Sequence, residues 1–255
     1  MSNSSTPIES YGKTKKRDVF DGVDPEVKER TKKMMMYLII FSVVMLFGGW
    51  VSAYVVKEPE NYWVHPEPVF SLFVSNVLII VSSILLIVAT YFANRNKQLL
   101  STVFLIATFI SGVGFAVSQF KAHSEYNEMG FHLVKNKIGD IKAEYGKDYF
   151  ITLHSYPLVY ENGEFYDGHD KDRLEVLTEE VKRHQDTSTS LLFLVIAVHV
   201  LHLFLGLIYL IVNIIRSING GFFKGNILSL RTQGIYWHFM GILWLILYTF
   251  LFIIY

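Results

Sequence analysis

Hydrophobic positions in this chain gather into five long runs, at residues 34–56, 69–93, 99–120, 190–215 and 233–255. A helix of roughly 20 apolar residues crosses the hydrocarbon core of a bilayer, and every run reaches that length. None carries Asp, Glu, Lys or Arg in its middle; Lys121 and Arg216 sit at or just beyond run ends. One such run could be a buried core helix, but five in 255 residues predict a polytopic membrane protein. Lipid offers no partner for a bare backbone group, so the spans must be helical. The predicted fold is an all-α bundle of five transmembrane helices. The first run follows 33 mostly polar residues and, at 23 residues, is longer than a signal-peptide core. It reads as a retained anchor.

The polar intervals divide the chain further. Residues 1–33 form a polar arm, which we read as cytoplasmic and mobile over 1–27. Residues 34–120 hold the first three spans, 121–189 form an extracytoplasmic insertion, and 190–255 hold the last two spans. The insertion is too long for a structureless loop. Within it, Tyr149–Tyr160 and Glu164–Tyr166 flank Asn162-Gly163, a hairpin signal. Asp170 reads as the N-cap of a helix carrying Leu174, Val176, Leu177 and Val181. A small α/β outer insertion between helices 3 and 4 is therefore predicted.

Charge sets the expected orientation. The formal net charge is zero, which argues against a nucleic-acid partner, yet the two sides differ. The arm and the short 94–98 and 216–232 connections hold 13 Lys and Arg against 6 Asp and Glu. The 57–68 and 121–189 segments hold 10 against 17. The positive-inside rule then puts the N-terminus in the cytoplasm and the insertion and C-terminus outside, in an inner (cytoplasmic) membrane. The acidic insertion is a candidate docking surface for a basic partner, with a solvated cap as the alternative. The chain has no cysteine, which removes disulfides, thiolate metal sites and thiol catalysis. His123, His132, His154, His169 and His184 lie across the insertion without ligand spacing, so no metal site is assigned to them.

Small and polar residues mark stripes within the spans: Ser42, Gly49 and Ser52 in the first; Asn76, Ser83 and Thr90 in the second; His199, His202, Gly206, Tyr209 and Asn213 in the fourth; Gly234, His238, Gly241 and Tyr248 in the fifth. Such stripes predict helix–helix packing. His199 and His202 share a helical face at i and i+3, and His238 lies on the next span. Intramembrane ionisable residues are functional candidates. Three readings stand for these histidines: haem or metal ligation, proton handling, and neutral imidazoles bonded across helices or to lipid headgroups.

Two of these segments resemble a known family. The fifth span reads Tyr236-Trp237-His238-Phe239, then Trp244-Leu245-Ile246-Leu247-Tyr248. This resembles the last helix of subunit III of the haem–copper oxidases. The fourth span, His199-Val200-Leu201-His202 with Gly206 four residues on, resembles that subunit's His-x-x-His-x-x-x-Gly helix. The five-helix order is similar to its shorter form. Gln119 stands where the family has Gln-x-x-Glu near the end of the third span. The family's motif, packing or lipid-cleft residues would then be Gln119, His199, His202, Gly206, Trp237, His238, Trp244 and Tyr248.

The resemblance implies an accessory subunit with no catalytic, metal or cofactor-binding residues of its own, haem and copper residing in partner subunits. Its partners would be the catalytic subunit I, other oxidase subunits, bound phospholipid and a neighbouring respiratory complex reached through the insertion. The complex would reduce O2 to water and pump protons, with cytochrome c or quinol as donor. Three family acids are missing: Val43, Ala122 and Gly241 stand in their places. The competing readings are a haem b-binding anchor using His199, His202 or His238, subunit III of a quinol oxidase, and a small transporter, which the lack of buried charge or broken helices disfavours.

Overall fold

The computed structural model describes residues 24–134, 137–170, 173–220 and 227–254. Five helices are long and apolar enough to cross a membrane: α1 (Pro25–Lys57), α2 (Phe70–Asn94), α3 (Gln98–Glu128), α5 (Thr187–Ile218) and α6 (Leu228–Thr249), the last ending in a wider turn over Phe250–Ile254. The chain is an integral membrane protein. Four of these helices outrun their apolar stretches at one end or both. The helix α1 begins at Pro25, nine residues before the first apolar run, because Asp24 accepts the Glu26 amide and Pro25 supplies a preset first turn. Ion pairs Arg30–Glu26 and Lys33–Glu29 decorate this polar start. Residues 25–27 are thus helix rather than mobile arm; residues 1–23 lie outside the described residues. At the far end of α3, residues 121–128 continue the helix instead of opening the insertion.

Two connections fold together at one end of the bundle. Strand β1 (Tyr62–Pro66), in the short 57–68 segment, pairs antiparallel with β2 (Tyr149–Leu153), which pairs with β3 (Tyr156–Pro157). Strands β4 (Val159–Glu161) and β5 (Glu164–Tyr166) form the hairpin expected at Asn162-Gly163. Both turn residues have positive φ, 54° and 90°, which is the backbone that this tight hairpin turn demands. The short helix α4 (Thr178–Arg183) follows. Asp170 does not cap it. Its carboxylate accepts the amides of Leu174 and Glu175, closing a turn, and Leu177 precedes the helix. Asp186 does cap α5: it accepts the Thr189 amide at 3.0 Å and the Ser188 hydroxyl at 2.7 Å. Ser188 Oγ accepts the Val64 amide at 3.0 Å, fastening β1 to the start of α5. Burial pushes the Asp186 carboxyl above its ordinary range.

At the opposite end Arg231 lies 3.9 Å from Glu29 and donates to Asn94 at 3.3 Å. The starts of α1 and α6 and the end of α2 therefore share one face, as the charge pattern requires.

The sheet end is walled by tyrosines. Tyr62 is almost fully buried, and burial, aided by nearby Glu180, pushes its phenol up to about 12. Tyr149 is likewise raised to about 12, by burial and by Tyr145 and Tyr160 beside it. Protons held more tightly in the folded state stabilise it while they are bound. That stability is complete below the ordinary phenol value near 10 and is lost as pH rises through about 12. In an alkaline titration followed by tyrosinate absorbance, Tyr62→Phe should remove amplitude near pH 12 and leave the rise near pH 10 intact.

Candidate functional site

The last four spans meet in one seam, to which the stripes contribute Gly206, Asn76 and His199. Trp237 of α6 is buried at its centre. Its indole Nε1 donates to Ser82 Oγ of α2 at 3.0 Å, and Ser82 in turn donates to the Ile79 carbonyl. The ring lies against Gly112 of α3 and Gly206 of α5. A Cβ at Gly112 would stand 2.8 Å from Trp237 Cη2 and 3.0 Å from Leu207 Cδ2; one at Gly206 would stand 3.1 Å from Tyr236 and 3.3 Å from Trp237. Four helices thus close on a single side chain, and the two glycines form the slot that admits it.

Two helical turns along α6, Trp244 Nε1 donates to Asn76 Oδ1 of α2 at 2.8 Å. His199 lies behind Trp244, with ring centroids 5.1 Å apart, and is also walled by Phe115 and by Phe47 of α1 at 6.0 and 6.3 Å. Its imidazole is wholly buried, and neither ring nitrogen finds a hydrogen-bond partner among the described residues. His202 is half-buried beside Phe47, and its Nδ1–H donates to the Val198 carbonyl of its own helix at 2.8 Å. Among the described residues neither imidazole bonds to a side chain of another helix; the rings meet their neighbours by packing, while the His202 carbonyl accepts the Tyr236 hydroxyl of α6 at 2.9 Å.

The remaining motif residues lie elsewhere. His238 faces a groove between α2 and α6 with Ser83 and Gly241. Tyr248 packs on Phe252 near the end of α6. Gln119 is buried between α3 and α2, its Nε2 donating to Ser75 Oγ at 2.8 Å. The three histidines therefore do not converge on one centre: His199 and His202 flank Phe47 on the α1 side, while His238 opens on the α2 side.

At the three positions where the resemblance implies acids, apolar residues or glycine stand. Val43 is buried one turn from Phe47 on the same face of α1, and Ala122 is buried on α3. At Gly241 a Cβ would stand 3.3 Å from Ile79 Cγ1 and 3.4 Å from Ser83 Oγ, so α6 approaches α2 closely there. The stripe of the first span behaves differently. Ser42, Gly49 and Ser52 are exposed, and nothing lies within 4 Å of a Cβ built at Gly48 or Gly49. That stripe faces away from the bundle, contrary to the expected packing.

A second polar core, unmarked in the sequence reading except for Tyr209 and Asn213, joins α5 and α6 at the arm end. Tyr209 bonds to Thr232 at 2.7 Å and to the Ser229 carbonyl at 3.0 Å. Gln233 donates to the Gly206 carbonyl at 3.1 Å and accepts from Asn213. Ser229 and Gln233 carry no span-like signal by themselves; an Asn or Gln at matching levels of two consecutive spans is what could have revealed them.

Overpacking a core costs about 1–3 kcal/mol, so Gly112→Ala should lower the thermal midpoint of the detergent-purified chain by several degrees. Gly206→Ala, with its looser contacts, should cost less, and Gly49→Ala should cost nothing. Midpoints read from tryptophan fluorescence check the order. The seam stands on its own geometry: no model of a known protein family matches the chain, and no curated protein matches it either.

Proposed function

We propose that this chain is the non-redox subunit III of a haem–copper terminal oxidase of the cytochrome c oxidase type, seated beside the catalytic subunit. The observation that carries the reading is the shared seam. Trp237 and Trp244 belong to one family-like motif, His199 and Gly206 to the other, and these four interlock. They serve packing, which is what a supporting subunit requires of them. Haem and copper belong to the partner subunits. Support for proton uptake and for the lifetime of the catalytic subunit comes through packing and bound phospholipid, since Val43, Ala122 and Gly241 supply no carboxylate. Phospholipid and the catalytic subunit would cover the exposed apolar face of α1, which includes Phe41, Met45 and Val56. The sheet end would lie outside the cytoplasmic membrane, where its acidic surface can meet a neighbouring respiratory complex, and the arm end would lie in the cytoplasm.

Gentle detergent purification through a tag on the N-terminal arm should bring down a large haem-bearing subunit with a-type absorption bands. A chain that purifies alone and without haem contradicts the reading, and a haem b spectrum in the isolated chain that disappears in His199→Ala favours a haem anchor instead. Orientation is tested separately, because the natural chain has no cysteine. An impermeant maleimide should label Glu164→Cys in intact cells or spheroplasts, and Lys97→Cys only after permeabilisation.

A further inference from the structure

A groove of about 290 Å³ lies between α2 and α6. Ile80, Ile84 and Ile87 form its α2 wall, and Ile242 and Leu245 its α6 wall. The isoleucines are exposed along two membrane-spanning helices, so the groove opens to lipid. Both walls continue toward the arm end. Residues about seven apart on a helix nearly share a face, which sets Tyr91 in line with Ile84 on α2, and Arg231 in line with His238 and Leu245 on α6. From Arg231 to Ile242 a helix rises about 16 Å, half the roughly 30 Å hydrocarbon core. The wall below Arg231 thus has the depth of one leaflet.

Two guanidinium groups crown this wall, one from each helix. Arg95, just past the end of α2, folds back over the Tyr91 ring at 4.7 Å, which holds its charge above the α2 side. Its side chain makes no hydrogen bond or ion pair among the described residues, so its donors are available to a ligand. Arg231, near the start of α6, donates to Asn94, the residue before Arg95, at 3.3 Å. That bond draws the two cations together across the α2–α6 gap. Glu29 of α1 stands 3.9 Å from Arg231, but Lys33 lies 2.6 Å from the same carboxylate. Lys33, Arg95 and Arg231 against Glu29 leave positive charge in excess at this corner. A guanidinium takes a phosphate through paired donors, and basic sites beside membrane helices at the interface recognise anionic headgroups. A zwitterionic head brings its own cation and gains less there.

We propose that the α2–α6 groove is a site for an anionic phospholipid of the phosphatidylglycerol class, its phosphate between Arg95 and Arg231 and one acyl chain along the isoleucines. Charge selects the head and the apolar walls select a lipid over a free anion. The site requires only the bundle itself, so it stands or falls apart from the oxidase reading.

The test uses the full chain purified in a neutral detergent and stripped of co-purified lipid, with bound lipid counted by native mass spectrometry. Dioleoylphosphatidylglycerol should bind saturably as one equivalent, about tenfold more tightly than dioleoylphosphatidylcholine. Arg95→Gln and Arg231→Gln should each remove most of that preference and leave the phosphatidylcholine affinity unchanged. Arg183→Gln, which removes an exposed cation at the sheet end, should change neither. Ile84→Trp should fill the groove and weaken both lipids; where that variant does not fold, Ile87→Trp replaces it. Equal affinity of wild type for the two lipids overturns the proposal. So does a loss in Arg95→Gln and Arg231→Gln no larger than in Arg183→Gln. Displacement of the lipid by equimolar glycerol 3-phosphate would identify a site for the anion alone and overturns it too.

Discussion

Everything in the membrane part of this molecule turns on one indole in a slot. Trp237 brings the largest side chain in the proteome's alphabet to a point where α2, α3, α5 and α6 meet, and only the two missing β-carbons at Gly112 and Gly206 let the helices close around it. Between helices in lipid there is no hydrophobic drive to associate; close packing and interhelical hydrogen bonds must do the work. The Trp237–Ser82 and Trp244–Asn76 bonds supply the second of these, and the fit of ring to glycine supplies the first. Helix α1 takes little part. It touches the seam through Phe47 and leaves most of its surface, glycines included, to lipid or a partner.

This arrangement also gives the histidines their character. An imidazole enclosed by Phe47, Phe115 and Trp244 contributes shape and an aromatic edge, and the His202 ring turns back on its own helix. Polar side chains at depth are thus spent on joining helices: hydroxyls and amides between α2 and α3, and between α5 and α6. The sheet end is stitched from two loops distant in sequence and anchored to α5 through Ser188, which makes the cap one body with the bundle.

Much of this was legible in the sequence, for physical reasons that vary with the residue. The five spans follow from bilayer thickness, and the hairpin follows from the backbone that Asn162-Gly163 permits. Strand β1 was not legible: five residues between a helix end and a proline signal little, and the partner that makes them a strand lies more than eighty residues away. Asp170 misled because a carboxylate closing a turn and one capping a helix accept the same kind of amide. The motif residues Trp237, Trp244, His199 and Gly206 were visible as a set, but Gly112 and Ser82 were not. A small residue acquires its meaning only from the large one it faces on another helix. The stripe Ser42, Gly49 and Ser52 shows the converse, since small residues at helical spacing look alike whether they face a neighbour or the membrane.

The claim that Trp237 organises the seam through both fit and hydrogen bond is tested most directly by a double-mutant cycle on Trp237→Phe and Ser82→Ala, read as unfolding free energy of the purified chain in detergent. The account predicts a coupling of about 1 kcal/mol, with each single variant destabilised and the double variant less so than their sum. Strict additivity, or no loss in Trp237→Phe, would contradict it.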